Sequence, residues 1–519
     1  RGLLYTTTGR FALADEYTAK ALQLREEKLG NTNMAVAASL NNYAVLHYNL
    51  GKYNESEKEF NDAIAVIKTN KLQEAMPYAI VLNNQAMLYQ SMGNYEAAVK
   101  VLLQAMTLSA KLESAKARNQ LKFLSNLALL YQQMGKYAEA EKIYLELDKK
   151  LDKGKPEQAN MLNNYAILSL LMKKEDKVES MLKQSTGIYK SSMGESSPAY
   201  AKVISDLGNF YRHKARYAEA EPLLQQALQI REEVLGTNHP MYVQSQEDLA
   251  LLHWKQKDFT TSISLYKTVM EKTLDFINSY FAPMSEAEKT RYWDMLAPRF
   301  QRFYNFALDA ASSDKGILKD MFECRTATKG ILLSSTRKIS ESISNSGNQQ
   351  LIDDYTNWID HKEQLTKLYA YSKQDLKEQA VNIDSLEANV NSMEKKISKN
   401  SKEFADFYFA GKIKFNAIQN QLKGDEALVE IIRLQQFEQG FTDDCRYIGL
   451  VATKDKSQPE IVVLDKGNDL EVKHARTYRV MMKSKGNDVQ SYTNFWEPFE
   501  KELSGKKTIY VSLDGVYNQ

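Results

Sequence analysis

Apolar side chains recur through the first half of this chain at helical spacing, in blocks that repeat about every 42 residues. Each block reads as a helix A, a tight turn and a helix B. The turns carry an aromatic side chain at positions 11, 53, 95, 137, 217 and 259, in steps of 42, 42, 42, 80 and 42. The step of 80 divides into 38 and 42 around a degenerate turn, Lys173-Lys174-Glu175. Nine residues before each aromatic position stands a small residue (Ala44, Ala86, Ala128, Ala166, Gly208, Ala250), and three after it another small or slender one (Ala14, Ser56, Ala98, Ala140, Val178, Ala220, Ser262). Small residues let two helix backbones approach, so these positions predict the crossing of A and B. Larger apolar residues flank them: Leu40, Leu82, Leu124, Leu162 and Ile204 on the A helices, Phe60, Leu102, Tyr144, Leu182, Leu224 and Tyr266 on the B helices. Nothing in this half alternates as a strand does.

After Lys272 the period stops while helical patterning continues. Ser285 with Glu288 three residues on forms a capping-box pattern, so a helix is expected to begin there. Trp293, Leu296, Phe300, Phe303, Tyr304, Phe306 and Ala307 give it an aromatic face, read as a cap on the end of the repeat array. Residues 340–350 are Ser-rich and polar and read as a mobile loop. Two helices follow. Leu351, Tyr355, Trp358 and Leu365 mark the first; Ile383, Leu386, Val390, Met393 and Ile397, then Phe404 and Phe407, mark the second. Their heptad-like spacing predicts an antiparallel coiled-coil hairpin. From about residue 424 the texture changes to short β-branched and aromatic runs, at 427–434, 446–452, 460–464 and 508–513, with a helix expected over 494–503. The runs are apolar on both faces, which predicts a sheet covered by helices.

A fixed period of this length means stacked helical hairpins with one continuous core. The small-residue and aromatic positions resemble those of the tetratricopeptide repeat, and the 42-residue period resembles the kinesin-light-chain variety. Phrases such as Ser39-Leu40-Asn41-Asn42-Tyr43-Ala44, Arg25-Glu26-Glu27-Lys28-Leu29-Gly30 and Arg231-Glu232-Glu233-Val234-Leu235-Gly236 carry that likeness. The resemblance covers residues 1 to about 275, seven repeats with the first incomplete, and implies a superhelix whose concave groove holds a protein or peptide ligand. Because the chain opens only a few residues before the first turn, further repeats or a signal peptide are expected upstream. By analogy with the family's ligand positions, the row twelve residues before each aromatic (Asn41, Asn83, Ser125, Asn163, Ser205, Glu247) and the row five before it (Tyr48, Gln90, Gln132, Arg212, Trp254) are the candidate groove residues. Asparagine offers a donor and an acceptor together, so such a ladder can grip a peptide backbone whatever its sequence; the same ladder can equally serve packing. Asn42, Asn84, Asn126 and Asn164 read as structural, bonding between adjacent helices.

Composition narrows the classes. Of 519 residues, 68 are Lys or Arg and 66 Asp or Glu, so the net charge of +2 carries no nucleic-acid signature. No apolar run reaches the ~18–20 residues of a membrane span. Two cysteines, Cys324 and Cys445, make no disulfide framework and read as free packed thiols, which favours a cytoplasmic setting, or the periplasm if a signal peptide has been removed. No phosphate loop, zinc motif or cofactor motif stands out. His47, His213 and His253 lie on repeat helices without metal-ligand spacing.

The order of parts then carries a second resemblance. Repeats over 1–275, a helical cap over 276–340, a hairpin over 350–420 and an α/β segment over 424–519 are similar to the arrangement of the CHAT family, caspase-like domains associated with tetratricopeptide repeats. The segment Cys324-Arg325-Thr326-Ala327-Thr328-Lys329-Gly330-Ile331-Leu332-Leu333 resembles the phrase that often precedes that domain. Val511-Ser512-Leu513-Asp514-Gly515 resembles a strand end typical of it, with Leu513 in place of proline. The fold class expected is thus mainly α: a solenoid, a cap and a coiled-coil hairpin, then the beginning of an α/β caspase-like domain. The resemblance implies a cysteine peptidase in which a histidine assists a thiolate, and a protein substrate. In that family both groups lie downstream of the Asp-Gly turn, so no catalytic residue is assigned within this chain. Cys445 and His474 share the α/β segment, but Asp443 and Asp444 beside the thiol disfavour its thiolate, and the pair reads as structural. The competing expectations are a non-catalytic scaffold with a pseudo-protease domain and, more weakly, a cargo adaptor, whose heptads would precede the repeats.

Overall fold

The computed structural model describes residues 1–7, 11–112, 118–281, 284–329, 343–368, 382–400, 414–486, 488 and 490–518. The Gly9-Arg10 turn, the Gly330–Leu333 phrase, the first residues of the Ser-rich loop, and Phe404 and Phe407 lie outside the described residues. The chain divides into two compact units, one of Arg1–Gln256 with Ser279–Tyr292, the other of Lys257–Asn278 with Trp293–Gln519.

The first unit is a run of helical hairpins: α1 (Gly2–Thr7) and α2 (Phe11–Leu29), α3 (Met34–Asn49) and α4 (Tyr53–Thr69), α5 (Met76–Ser91) and α6 (Tyr95–Leu112), α7 (Arg118–Gln133) and α8 (Tyr137–Lys150), α9 (Pro156–Leu171) and α10 (Val178–Met193), α11 (Pro198–His213) and α12 (Tyr217–Leu235). Then α13 (Pro240–Lys255) packs on α12, and α14 (Phe259–Phe281) follows it. The small residues mark the crossings as the pattern predicts. Ala44, Ala128, Ala166 and Ala250 are wholly buried, and so are Ala14, Ser56, Ala98, Ala140, Val178 and Ala220 opposite them. At Gly208 the reason is visible: a β-carbon there would stand 2.9 Å from the Leu224 side chain. Ser56 uses its hydroxyl to bond the Ala44 carbonyl at 2.8 Å across the same kind of crossing. The arginines of the two Arg-Glu-Glu phrases act between repeats. Arg231 donates to the Ser245 hydroxyl and the Met241 carbonyl of α13, and Arg25 donates likewise to Ser39 and Ala35 of α3.

The A helices α3, α5, α7, α9 and α11 end in the same double hydrogen bond. In repeat 2 the Lys52 amide bonds the His47 carbonyl at 2.8 Å and the Gly51 amide bonds Tyr48 at 3.0 Å. This closure needs one left-handed residue, which explains Gly51, Gly93 and Gly135 at φ +72, +73 and +74. Ala215 takes the same conformation at φ +56, where a β-carbon is strained. Ala215→Gly should therefore raise the unfolding free energy by about 0.5–1 kcal/mol, read from the urea midpoint. At the degenerate turn the aromatic is missing and α10 starts only at Val178, while α8 is short.

In the second unit, α15 (Glu286–Ala310) contributes residues from Trp293 onward, and α16 (Ile317–Thr328) follows. The expected capping box at the start of α15 is present: the Ser285 amide bonds the Glu288 carboxylate at 2.9 Å, and the Glu288 amide the Ser285 hydroxyl at 3.4 Å. The two heptad helices, α17 (Gln349–Leu368) and α18 (Ile383–Asn400), pack together. Asp354 near the start of one pairs with Lys396 near the end of the other at 2.9 Å, so the hairpin is antiparallel. Leu351, Tyr355, Trp358, Leu365, Val390 and Ile397 form its buried seam.

A short α19 (Phe415–Gln421) leads into the sheet: β1 (Glu426–Phe437), β2 (Phe441–Thr453), β3 (Glu460–Leu464) and β4 (Thr508–Ser512), in the order β3-β2-β1-β4. β1, β2 and β3 are antiparallel neighbours, and β4 runs parallel to β1. One face, with Ala427, Val429, Ile431, Tyr447 and Val451, packs under Leu470, Ala475, Phe499 and Leu503. β4 departs from the expectation of cover on both faces: it is an edge strand, and Tyr510, Val511 and the following Leu513 are exposed. The expected helix over 494–503 is also broken. After α20 (Ala475–Ser484) come α21 (Gln490–Phe495), one 3-10 turn (Glu497–Phe499) and further turns. Pro498 has no amide hydrogen to continue a helix.

Beyond its pairing with β4, β1 would expose free backbone groups from Arg433 to Phe437. Side chains of α15 take them up. Asn305 donates to the Gln435 carbonyl at 2.8 Å and accepts from the Phe437 amide at 3.2 Å, while Gln301 accepts from the Gln435 amide at 3.0 Å. The two residues are four apart on one helix face, which matches the two-residue rise of the strand.

Candidate binding ladder and the charged cluster at the strand ends

The candidate groove residues form a chain of hydrogen bonds between consecutive A helices. Asn84 donates to Asn41 at 3.0 Å, Asn126 to Asn83 at 2.8 Å, Gln90 to Gln133 at 2.7 Å, and Ser91 to the Tyr48 hydroxyl at 3.2 Å. Farther along, Asn163 donates to Asp206 at 2.6 Å and Ser205 to Asp248 at 2.9 Å. Every one of these pairs is 43 residues apart, one repeat plus one residue. At Asn41–Asn84 and Asn83–Asn126 the row read as ligand-facing and the row read as structural are each other's partners. Asn83, Asn163, Ser205, Gln90, Gln132, Arg212 and Trp254 are buried; Asn41, Tyr48 and Ser125 are half-buried. Gln132 accepts from the Tyr144 hydroxyl, Arg212 donates to Asn209, and the Lys255 ammonium lies over the Trp254 ring at 4.5 Å. Among the described residues the Ser125 hydroxyl and the carbonyl oxygens of Gln90 and Asn163 have no hydrogen-bond partner.

Ionisable groups in this unit are tuned by burial. Burial raises the Asp248 carboxyl, with the Arg231 and Arg212 guanidiniums opposing. It lowers His213 to about 4, with Arg212 adding to the effect. His47, buried between its helices, meets Glu59 at 2.9 Å. Where the period breaks, a cleft of about 680 Å³ opens among α8, α9 and α10. Leu145, Met161, Tyr165, Met181 and Ile188 line it, together with the charged Asp148, Lys153, Lys174, Asp176 and Lys177.

The second unit places a cluster of charges at the carboxyl ends of the parallel pair. Glu430 sits mid-strand on β1 at 2% exposure, on the face opposite Val429 and Ile431. A lone buried carboxylate is costly unless it is paired. Arg325 and Lys329, one helical turn apart on or just past α16, reach it at 3.1 and 2.7 Å. Arg325 also binds Asp514, just past β4, at 2.8 Å. Asp514 accepts from the Arg433 amide at 3.0 Å and from the Gly515 amide at 2.9 Å, which fixes the turn after the strand. Only glycine fits next: a β-carbon at Gly515 would stand 2.1 Å from the Tyr447 hydroxyl. That hydroxyl donates to Glu471 at 2.7 Å and accepts from the Val516 amide at 2.8 Å. The Arg433 guanidinium holds the Glu471 carboxyl below the usual range.

Sequence patterning picks out Asp514-Gly515 and the Arg325–Lys329 phrase but gives Glu430, Tyr447 and Glu471 no role. A signal was present, since a carboxylate inside the apolar run 427–434 has to find a cation. Cys445 is buried at 2% exposure, its thiol pushed up by burial first, with Glu471 adding and Arg433 opposing. Asp444, one of the two carboxylates expected to disfavour the thiolate, does raise the thiol but contributes least of the causes. His474 stands at the end of a π-turn, half-buried. Burial likewise raises the Cys324 thiol. Neither cysteine is prepared as a thiolate.

Comparison with known proteins gives a limited result. A tetratricopeptide-repeat family model matches residues 1–69, 77–147 and 200–272. No curated protein sequence matches the chain. Among solved structures, it is similar to the kinesin-light-chain nearly identical TPR-like repeats of Podosopora anserina, at 22% identity over 37% of this chain and 94% of that one, with a TM-score of 0.30. It is similar to BtubC of P. vanneervenii at 18% identity over 44% and 90%, with a TM-score of 0.33. A Rap protein complexed with competence and sporulation factor shows 13% identity over 62% and 95%, with a TM-score of 0.44. Among the described residues no helix is long and apolar enough to cross a membrane. The first unit thus carries tetratricopeptide repeats, an architecture that serves as a protein-interaction scaffold.

Proposed function

We propose that this chain is the partner-binding and regulatory part of a caspase-like cysteine protease of the CHAT type. In this reading the repeat unit holds a protein or peptide in its groove, and the mixed sheet is the first portion of the proteolytic domain. The observation that carries it is the cluster at the strand ends. A charged clamp from α16 fastens the Asp514–Gly515 turn at the carboxyl end of parallel strands, where open α/β sheets place their ligands. The exposed apolar edge of β4 is in keeping with a larger sheet. On the repeat side, the half-buried Asn41, Tyr48 and Ser125 leave part of the candidate row within reach of a ligand, which supports this reading. No residue of this chain is given a catalytic role.

The non-catalytic scaffold is the second reading, favoured by the repeat match, which by itself implies only a protein-interaction surface. The parent polypeptide, incubated with casein with and without a thiol alkylator, separates the two. Alkylation-sensitive cleavage that survives Cys324→Ser and Cys445→Ser supports the protease. Casein left intact, with the repeat unit's partner bound, leaves only the scaffold.

A further inference from the structure

The turns of repeats 2 and 3 carry a contact that the repeat itself does not require. The Tyr280 hydroxyl donates to the Gly51 carbonyl at 2.7 Å, and its ring stands 5.4 Å from Tyr53 and edge-on to Tyr292 at 5.8 Å. At Gly93, one repeat on, a β-carbon would lie 2.8 Å from the Arg291 carbonyl oxygen, so backbone passes directly over that turn. Gly135 closes the third turn in the same conformation, and there a β-carbon would meet nothing within 4 Å. Gly51 and Gly93 therefore serve both the turn and a docked segment. Tyr53 stands 6.3 Å from Tyr48, so the contact continues to the candidate groove row.

The same edge touches the far end of the array. His239 donates to the Asn49 carbonyl at 2.8 Å, and Pro240 lies 3.1 Å from where a β-carbon of Gly51 would be. Val234 and Leu235 pack against Phe11, Ala14 and Leu46. Repeats some 190 residues apart in the chain are thereby joined.

We propose that the turn edge of repeats 2 and 3 is a binding site for a tyrosine-bearing protein segment, and that the chain fills it with its own Tyr280, Arg291 and Tyr292. This rests on reading the repeat unit as a partner-binding scaffold. A partner that takes the site presents a phenol to the Gly51 carbonyl, stacks that ring on Tyr53 and runs backbone over Gly93. Residues 257–278 and 293 onward belong to the other unit, so the filling segment is tethered to that unit at both ends.

The test compares the full chain with Tyr280→Ala and the milder Tyr280→Phe, each checked for helicity by circular dichroism. In the alanine variant the Leu50, Gly51 and Lys52 amides should exchange about tenfold faster, with a smaller rise for phenylalanine. A labelled synthetic peptide of residues 279–292 should bind the alanine variant at least about tenfold tighter than the wild type, whose site is filled. Unchanged amide exchange overturns the proposal. Faster exchange without peptide binding overturns the binding site and leaves a structural strut. Neither readout involves proteolysis, so failure here is distinguishable from failure of the protease reading.

Discussion

Replacing Arg325 with alanine is expected to destabilise the mixed sheet by about 3 kcal/mol. The guanidinium lies between two carboxylates, Glu430 on β1 at 3.1 Å and Asp514 just past β4 at 2.8 Å, and Glu430 is only 2% exposed. Without it, Glu430 keeps Lys329 as its cation. Burial already lowers the Lys329 ammonium, the Glu430 hydrogen bond opposing, so this remaining partner is itself held at a desolvation cost. Breaking one side of a buried pair costs more than removing the whole pair. Accordingly, Arg325→Met combined with Glu430→Leu should recover most of the loss. Amide exchange of β1 and β4 reads this sheet alone, which a global melt of two units does not. A change under about 0.5 kcal/mol in the alanine variant would sink the claim that this clamp holds the strand ends.

Acid should weaken the repeat unit through its buried histidines. His239 caps α13 by accepting the Met241 amide on Nδ1 at 3.0 Å, and its Nε2 donates to the Asn49 carbonyl at 2.8 Å. Only the neutral ring can do both, because a second proton on Nδ1 removes the acceptor. Burial lowers its pKa from 6.5 to about 4, with Arg231 adding and the Asn49 carbonyl opposing. The unfolded chain therefore binds a proton through a range in which the folded chain refuses it. Stability is fully present above pH 6.5, falls as pH drops toward about 4, and changes no further below that on account of this group. The full effect is about 3 kcal/mol for His239. His213, lowered to about 4 as well, adds in the same direction. Urea unfolding at pH 7, 6 and 5 checks this. His239→Asn, which keeps an N-cap acceptor, should shed about half of the pH slope; an undiminished slope would contradict the assignment.

The repeat array was legible because its signal is redundant. Six turns, six small residues before them and seven after them say the same thing, and losing the aromatic at Glu175 did not hide the hairpin there. The strands were legible from their β-branched runs, down to the four segments that pair. Less could be read where the answer depends on distant partners. That Asn41 and Asn84 are bonded to each other requires knowing that one repeat plus one residue brings two A helices into register. The strand edge of β4 could not be anticipated from Thr508–Ser512, because apolar residues on both faces say nothing about which neighbour is present. Pro498 did carry a local signal against a continuous helix, and the apolar pattern around it masks that signal.

The bonds from Gln301 and Asn305 to the margin of β1 have a consequence for assembly. They close the stretch from Arg433 to Phe437 to any strand approaching from that side. An additional strand can enlarge the sheet there only by lying against β4, whose length then limits how far it reaches. On this side of the sheet, the reach of any further strand is set by two amide side chains on a helix rather than by the strands themselves.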